Sequence, residues 1–124
     1  MRLILEGEDR IRLEMAGEGL EILSEGVPLS PFHLLAASLA SCTALTVSTW
    51  AEGAGIDAAP LALSVRWDIA GTRPKRVTRM AMELRWPGLP AARVATAERV
   101  AELCPIHATL QRAVELSHRI TASD

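Results

Sequence analysis

Apolar and polar positions alternate with period two in separate parts of this chain, and between them lies a run that does not alternate. Ile11, Leu13 and Met15 are separated by Arg12 and Glu14, the pattern of a half-buried strand. Leu61, Leu63, Val65, Trp67 and Ile69 alternate with Ala62, Ser64, Arg66, Asp68 and Ala70. Further on, Met80, Met82, Leu84 and Trp86 share one face, and Arg79, Glu83 and Arg85 share the other. With GTRPK as the turn, residues 61–86 read as an antiparallel hairpin, wet on one side and covering something apolar on the other. Shorter strands are expected at Arg2 to Glu6 and around Leu20 and Ile22, so residues 1–28 read as a small meander.

The run SPFHLLAASLASCTALTVSTWAEG, Ser30 to Gly53, carries no acidic, Lys or Arg side chain before Glu52. Ser30 suits an N-cap and Pro31 a first helical position, and Gly53 and Gly55 supply stop signals. Residues 30–53 therefore read as a central helix. Leu34, Leu35, Leu39, Leu45, Val47 and Trp50 fall on several of its faces, and a helix apolar all round is expected to be buried all round. At about 35 Å it is too long for a chain of 124 residues to wrap alone. A second copy could supply the cover, and Ala36, Ala37, Ser38, Ala40, Ser41, Thr43 and Ala44 would let two such helices approach closely. A membrane span is disfavoured by the seven Ser and Thr between Ser30 and Thr49, by His33 and by the alternating strands on either side.

Beyond Pro87-Gly88-Leu89-Pro90, helical spacing returns through Val94, Ala97, Ala101 and Cys104 until Pro105 interrupts it. Residues 91–116 thus read as two helices with Cys104 at their joint, and His118 to Ala122 as a last strand. The order βββ-α-ββ-α-α-β predicts an α+β fold with a mainly antiparallel sheet in a single domain, 1–124.

Composition sharpens this picture in three ways. A hydrophobic content of 49% with one Phe and no Tyr gives an aliphatic core, and a net charge of −2 suggests no nucleic-acid or anionic-membrane partner. The N-terminal MRLILEGEDR turns charged too early for a signal peptide, which places the protein in the cytoplasm. Two cysteines there are expected to rest reduced, as buried inert thiols or as a working redox pair.

Cys104 is the more telling of the two. In LCPIHATL it can cap the Pro105 helix, where backbone N–H groups lower a thiol's pKa. Its spacing to His107 resembles a zinc motif, but His33 lies too far along the helix from Cys42 to complete a four-ligand site, and no metal or other cofactor is expected. His107 and His118 read as ordinary polar positions. Arg73, Lys75, Arg76 and Arg79 read as a solvated hairpin turn.

Taken together, SPFHLLAASLASCTALTV around Cys42 and AELCPIHATL around Cys104 resemble the OsmC/Ohr family of thiol-dependent peroxidases, over roughly Leu29 to Ile120. The resemblance implies an OsmC-like intertwined homodimer, with the central helices of both subunits wrapped by sheets and an active site at each end of the interface. It also implies catalytic roles: Cys42 as the peroxidatic thiolate, and Cys104 as the resolving thiol that condenses the Cys42 sulfenic acid into a disulfide. A dithiol or lipoyl-type reductant would then reset the pair. Family peroxidases carry a glutamate directly after the proline at the start of the central helix, paired with an N-terminal arginine that holds the cysteine as thiolate. Here that position is Phe32, and neither Arg10 nor Arg12 lies in the family's surrounding motif.

The expected function is therefore a cytoplasmic, dimeric, two-cysteine hydroperoxide reductase serving oxidative stress defence. It would favour organic hydroperoxides, because a pocket lined by residues such as Phe32 and Leu35 would accept an alkyl tail. The alternative is a non-catalytic small-molecule-binding or stress-response module that keeps the dimer and its apolar pocket without useful peroxidase chemistry.

Overall fold

The computed structural model describes the backbone of residues 2–5, 10–15 and 18–23, and residues 30–122 in full. The expected turns of the N-terminal meander at residues 6–9, 16–17 and 24–26, and the side chains of Arg10 and Arg12, lie outside the described residues. Backbone contacts divide the chain into two compact units, Met1–Ala37 and Ser38–Asp124.

The first unit holds three strands, β1 (Arg2–Leu5), β2 (Arg10–Met15) and β3 (Glu18–Leu23). They form an antiparallel meander in chain order, with Leu3 opposite Leu13 and Ile11 opposite Ile22. This unit also contains the start of the central helix α1 (Pro31–Gly53). Ser30 caps it as its position predicts: the Phe32 N–H donates to Ser30 Oγ at 3.1 Å, and the His33 N–H to the Ser30 carbonyl at 3.0 Å.

The second unit carries most of α1, the hairpin β4 (Ala62–Ile69) and β5 (Val77–Arg85), and two short helices, α2 (Val94–Ala101) and α3 (Pro105–Leu110). The end of α1 is closed by paired backbone bonds, Ile56 N–H to the Ala51 carbonyl (2.9 Å) and Gly55 N–H to the Glu52 carbonyl (3.2 Å). They need a left-handed residue between them, which Gly55 provides at φ 70° without a Cβ clash. In the hairpin Leu63, Val65 and Trp67 are half-buried opposite Leu84, Met82 and Met80, while Ser64, Arg66 and Asp68 are exposed. A register shift at Asp68/Ile69 breaks the alternation just before the turn and leaves Ile69 partly exposed.

Helix α1 is buried on one stripe only. Ala36, Leu39, Thr43, Val47 and Ala51 recur every three or four residues and are buried, whereas Leu45 on another face is 70% exposed. The all-round burial expected from composition is thus not reached within one chain. By length and hydropathy alone this helix would also suffice to cross a membrane.

Two expectations at the C-terminal end are corrected. The second short helix stops at Leu110, not near Leu116, and His118 to Ala122 forms no strand. Val114, Leu116 and Ile120 are exposed, Ile120 at 94%. A helix gains most of its stability from packing one face, and a strand needs an edge to pair with. The described part of a single chain offers this segment neither.

The far end of α1 is tied to the hairpin by two tryptophans. Trp50 and Trp86 meet edge to face with centroids 6.4 Å apart, and Trp86 Nε1–H donates to the Asp57 carbonyl at 2.9 Å. Trp86→Ala removes the ring contact and leaves that carbonyl without its donor. The expected loss is about 2–4 kcal/mol of unfolding free energy, read from the denaturant midpoint at fixed protein concentration. A change below about 0.5 kcal/mol, ordinary for a surface site, would show that the pair does not anchor the helix.

Candidate functional site

Both cysteines belong to the second unit and are free thiols. Cys42 lies near the middle of α1 and is half-exposed, and Cys104 is buried with no accessible surface. Pro105 explains the position of Cys104. A proline disfavours helical geometry before it, so Cys104 takes an extended conformation (φ −56°, ψ 127°) and becomes the N-cap of α3. In that position its sulfur accepts the His107 backbone N–H at 3.4 Å. The Cys104-x-x-His107 spacing is therefore used through the main chain, and among the described residues no three His, Cys, Asp or Glu side chains converge as a metal would require.

The two thiols are close enough to act on each other's ionisation. The side chain of Cys104 is the main reason the Cys42 thiol is pushed up from its ordinary pKa; burial adds to the rise, and the Ile106 N–H and the Thr46 hydroxyl oppose it. For Cys104, burial is the largest influence and pushes upward. It is outweighed by the Cys42 thiol, the His107 and Ile106 N–H groups and the nearby Thr43 hydroxyl, all of which favour the charged sulfur, so the net direction is down. A pair this close titrates as a unit, with the interactions around Cys104 favouring the charge on that side.

Sequence reasoning brought the two cysteines together and missed the residues around them. Thr43 is fully buried beside Cys104, and Thr46 back-bonds to the Cys42 carbonyl at 2.9 Å. The available signal was a polar residue in the series Leu39, Thr43, Val47. In a helix apolar all round, nothing marked that series as the inner one.

An open groove of about 540 Å³ runs between β5 and α2. Met80, Met82, Leu84 and Trp86 form one wall, Val94, Ala97 and Ala101 the other, and His107 borders it. Neither cysteine lines it. Phe32 and Leu35, expected at a substrate pocket, are half-buried on the first turns of α1 and are not among its walls. The basic residues Arg73, Lys75, Arg76 and Arg79 are exposed around the hairpin turn, where Arg76 binds the Pro74 carbonyl at 3.2 Å and the Thr72 hydroxyl at 3.4 Å. Among the described residues no arginine acts on the Cys42 thiol.

Two solved structures share this fold. One is a Psychrobacter arcticus 273-4 protein with a provisional osmotic stress induced and detoxification response assignment. It matches at a TM-score of 0.72 and 22% identity, covering 87% of this chain and 85% of that one. The other is a hypothetical protein from Aquifex aeolicus VF5, at a TM-score of 0.65 and 14% identity, covering 89% and 84%. No curated protein matches the chain. The family model described as OsmC-like protein matches residues 24–119, a span holding the central helix, both cysteines and the hairpin, and the chain accordingly belongs to the OsmC-like family.

Proposed function

We propose that this protein is a thiol-dependent hydroperoxide reductase that works through Cys42 and Cys104. The observation that carries the reading is the nearness of two thiols far apart in sequence, close enough to shift each other's ionisation. Two sulfurs in that contact can be bridged with little movement of the chain, as disulfide geometry requires. Cys42, the more accessible, attacks the terminal peroxide oxygen. The O–O bond breaks, the alcohol leaves, and Cys42 becomes a sulfenic acid. Attack by Cys104 on the Cys42 sulfur then forms the disulfide and expels water. A dithiol or lipoyl-type reductant returns both thiols and is itself oxidised to its disulfide. An organic hydroperoxide suits the apolar groove between β5 and α2, and two resting thiols suit the reducing cytoplasm. The provisional detoxification assignment of the Psychrobacter neighbour points toward a stress-defence role.

The working form in this reading is a homodimer. One chain buries a single stripe of α1, leaving Leu45 70% exposed and the groove between β5 and α2 open. A second copy covers such surface without a lipid bilayer, and the small residues along α1 permit close approach.

One observation favours a second reading, a non-catalytic binding or stress-response module of the same fold. The Cys42 thiol is raised from its ordinary pKa, and Phe32 stands where the peroxidases of the family carry a glutamate. A protonated thiol is a poor nucleophile. The peroxidase is preferred because the raised thiol lies close to a sulfur that favours the negative charge, so a proton acceptor is already at hand.

Peroxide consumption with a dithiol reductant separates the two. Wild type should turn over an organic hydroperoxide, Cys42→Ser should lose turnover, and Cys104→Ser should stop after one oxidation. Equal rates for all three would leave the binding module. Sedimentation without detergent should give about twice the 13.4 kDa chain mass, and a stable monomer or a membrane-bound fraction would overturn the dimer.

A further inference from the structure

The hydroxyl of Thr43 is buried, and among the described residues it has no hydrogen-bond partner. This is unusual within its own helix. Threonine in a helix ordinarily turns its hydroxyl back to the carbonyl four residues earlier, and Thr46 and Thr49 do so at 2.9 Å each. Thr43 does not. It is directed toward Cys104, near enough to favour the negative charge on that sulfur. A buried, unpaired hydroxyl is costly, so its orientation calls for an explanation elsewhere than in packing.

We propose that Thr43 is a positioning residue for Cys104: its hydroxyl donates to the Cys104 sulfur once that sulfur is charged, and Cys104 so held is the base that takes the Cys42 proton. In the neutral pair Cys42 is already close to Cys104, and the His107 N–H is already spent on the Cys104 sulfur at 3.4 Å. The Thr43 hydroxyl is the donor held in reserve, and a hydroxyl rotor can turn at little cost. The other titratable groups around the pair are His107 on α3, Glu98 and Glu102 on α2 and Glu83 on β5, all bordering the open groove. Between His33 and Glu52, α1 itself contributes only Cys42.

The steps balance. The Cys42 proton moves to the Cys104 thiolate as the Cys42 sulfur attacks the hydroperoxide, the O–O bond breaks, and the leaving alkoxide takes that proton from Cys104 to become the alcohol. Cys42 is left as a sulfenic acid and Cys104 as a thiolate again, ready to attack the Cys42 sulfur, form the disulfide and release hydroxide. Cys104 serves as base first and resolving nucleophile second. This supplies a local activator in a chain that has Phe32 where the family peroxidases place a glutamate.

The purpose of the proton transfer rests on the peroxidase reading, but the placement of the charge is tested without peroxide. Thiolate ultraviolet absorbance is titrated against pH in the reduced, full-length protein. Cys42→Ser, which leaves Cys104 alone, should ionise at lower pH than Cys104→Ser, which leaves Cys42 alone; the reverse order overturns the proposal. In the Cys42→Ser background, Thr43→Val keeps the side-chain shape and should cut the thiolate fraction on the rising limb about tenfold. Thr43→Ser should restore it, which a packing role would not. An unchanged titration in Thr43→Val, or a Thr43→Ser that behaves like valine, overturns the part given to Thr43. If the titrations hold while wild type consumes no peroxide, the peroxidase reading falls and the charge placement stands.

Discussion

The approach of the Cys42 and Cys104 thiols is the contact on which the site depends, because it sets both where a charge can reside and which elements must be held together. It requires the middle of α1 to lie against the joint between α2 and α3, and Pro105 keeps that joint extended. Burial alone would make Cys104 the weaker acid of the two. The main-chain N–H of His107, the Cys42 thiol and the Thr43 hydroxyl converge there and reverse that order, in keeping with the general rule that hydrogen bonds to the charged form can offset desolvation. Cys42 receives less of this support.

The same helix that carries Cys42 is incompletely covered. Its buried stripe, Ala36 through Ala51, is narrow and built from small or medium side chains, and Leu45 lies in the open. The open groove between β5 and α2 and the exposed Val114, Leu116 and Ile120 belong to the same second unit as the thiols.

Phe32 makes the start of α1 apolar. A glutamate at that position would bring a charge to the helix start. Here the first turn of α1 holds no acidic residue. The polar support for the sulfurs comes instead from groups close to them in space, the hydroxyls of α1 and the amides of α3. These groups are neutral, and their effect depends on direction and burial more than on long-range attraction, which makes it insensitive to salt compared with an exposed ion pair.

Local rules carried much of this protein into view before any coordinates. The Ser30 cap, the glycine stop, the hairpin alternation and the Cys104 cap at Pro105 are short-range effects of φ preference, hydrogen-bonding capacity and period-two burial, and each is legible from a few neighbouring residues. The C-terminal segment misled because its apolar alternation states only that an edge is wanted, while pairing requires that an edge be present. Thr43 was hidden for a related reason, since a helix apolar on every side does not disclose which stripe faces inward. The sequence by itself determined the central helix with both its ends, the hairpin and the cap at Cys104. Tertiary structure alone decided which sulfur favours the charge and which hydroxyl faces it, because those depend on directions in space between residues that no local pattern connects.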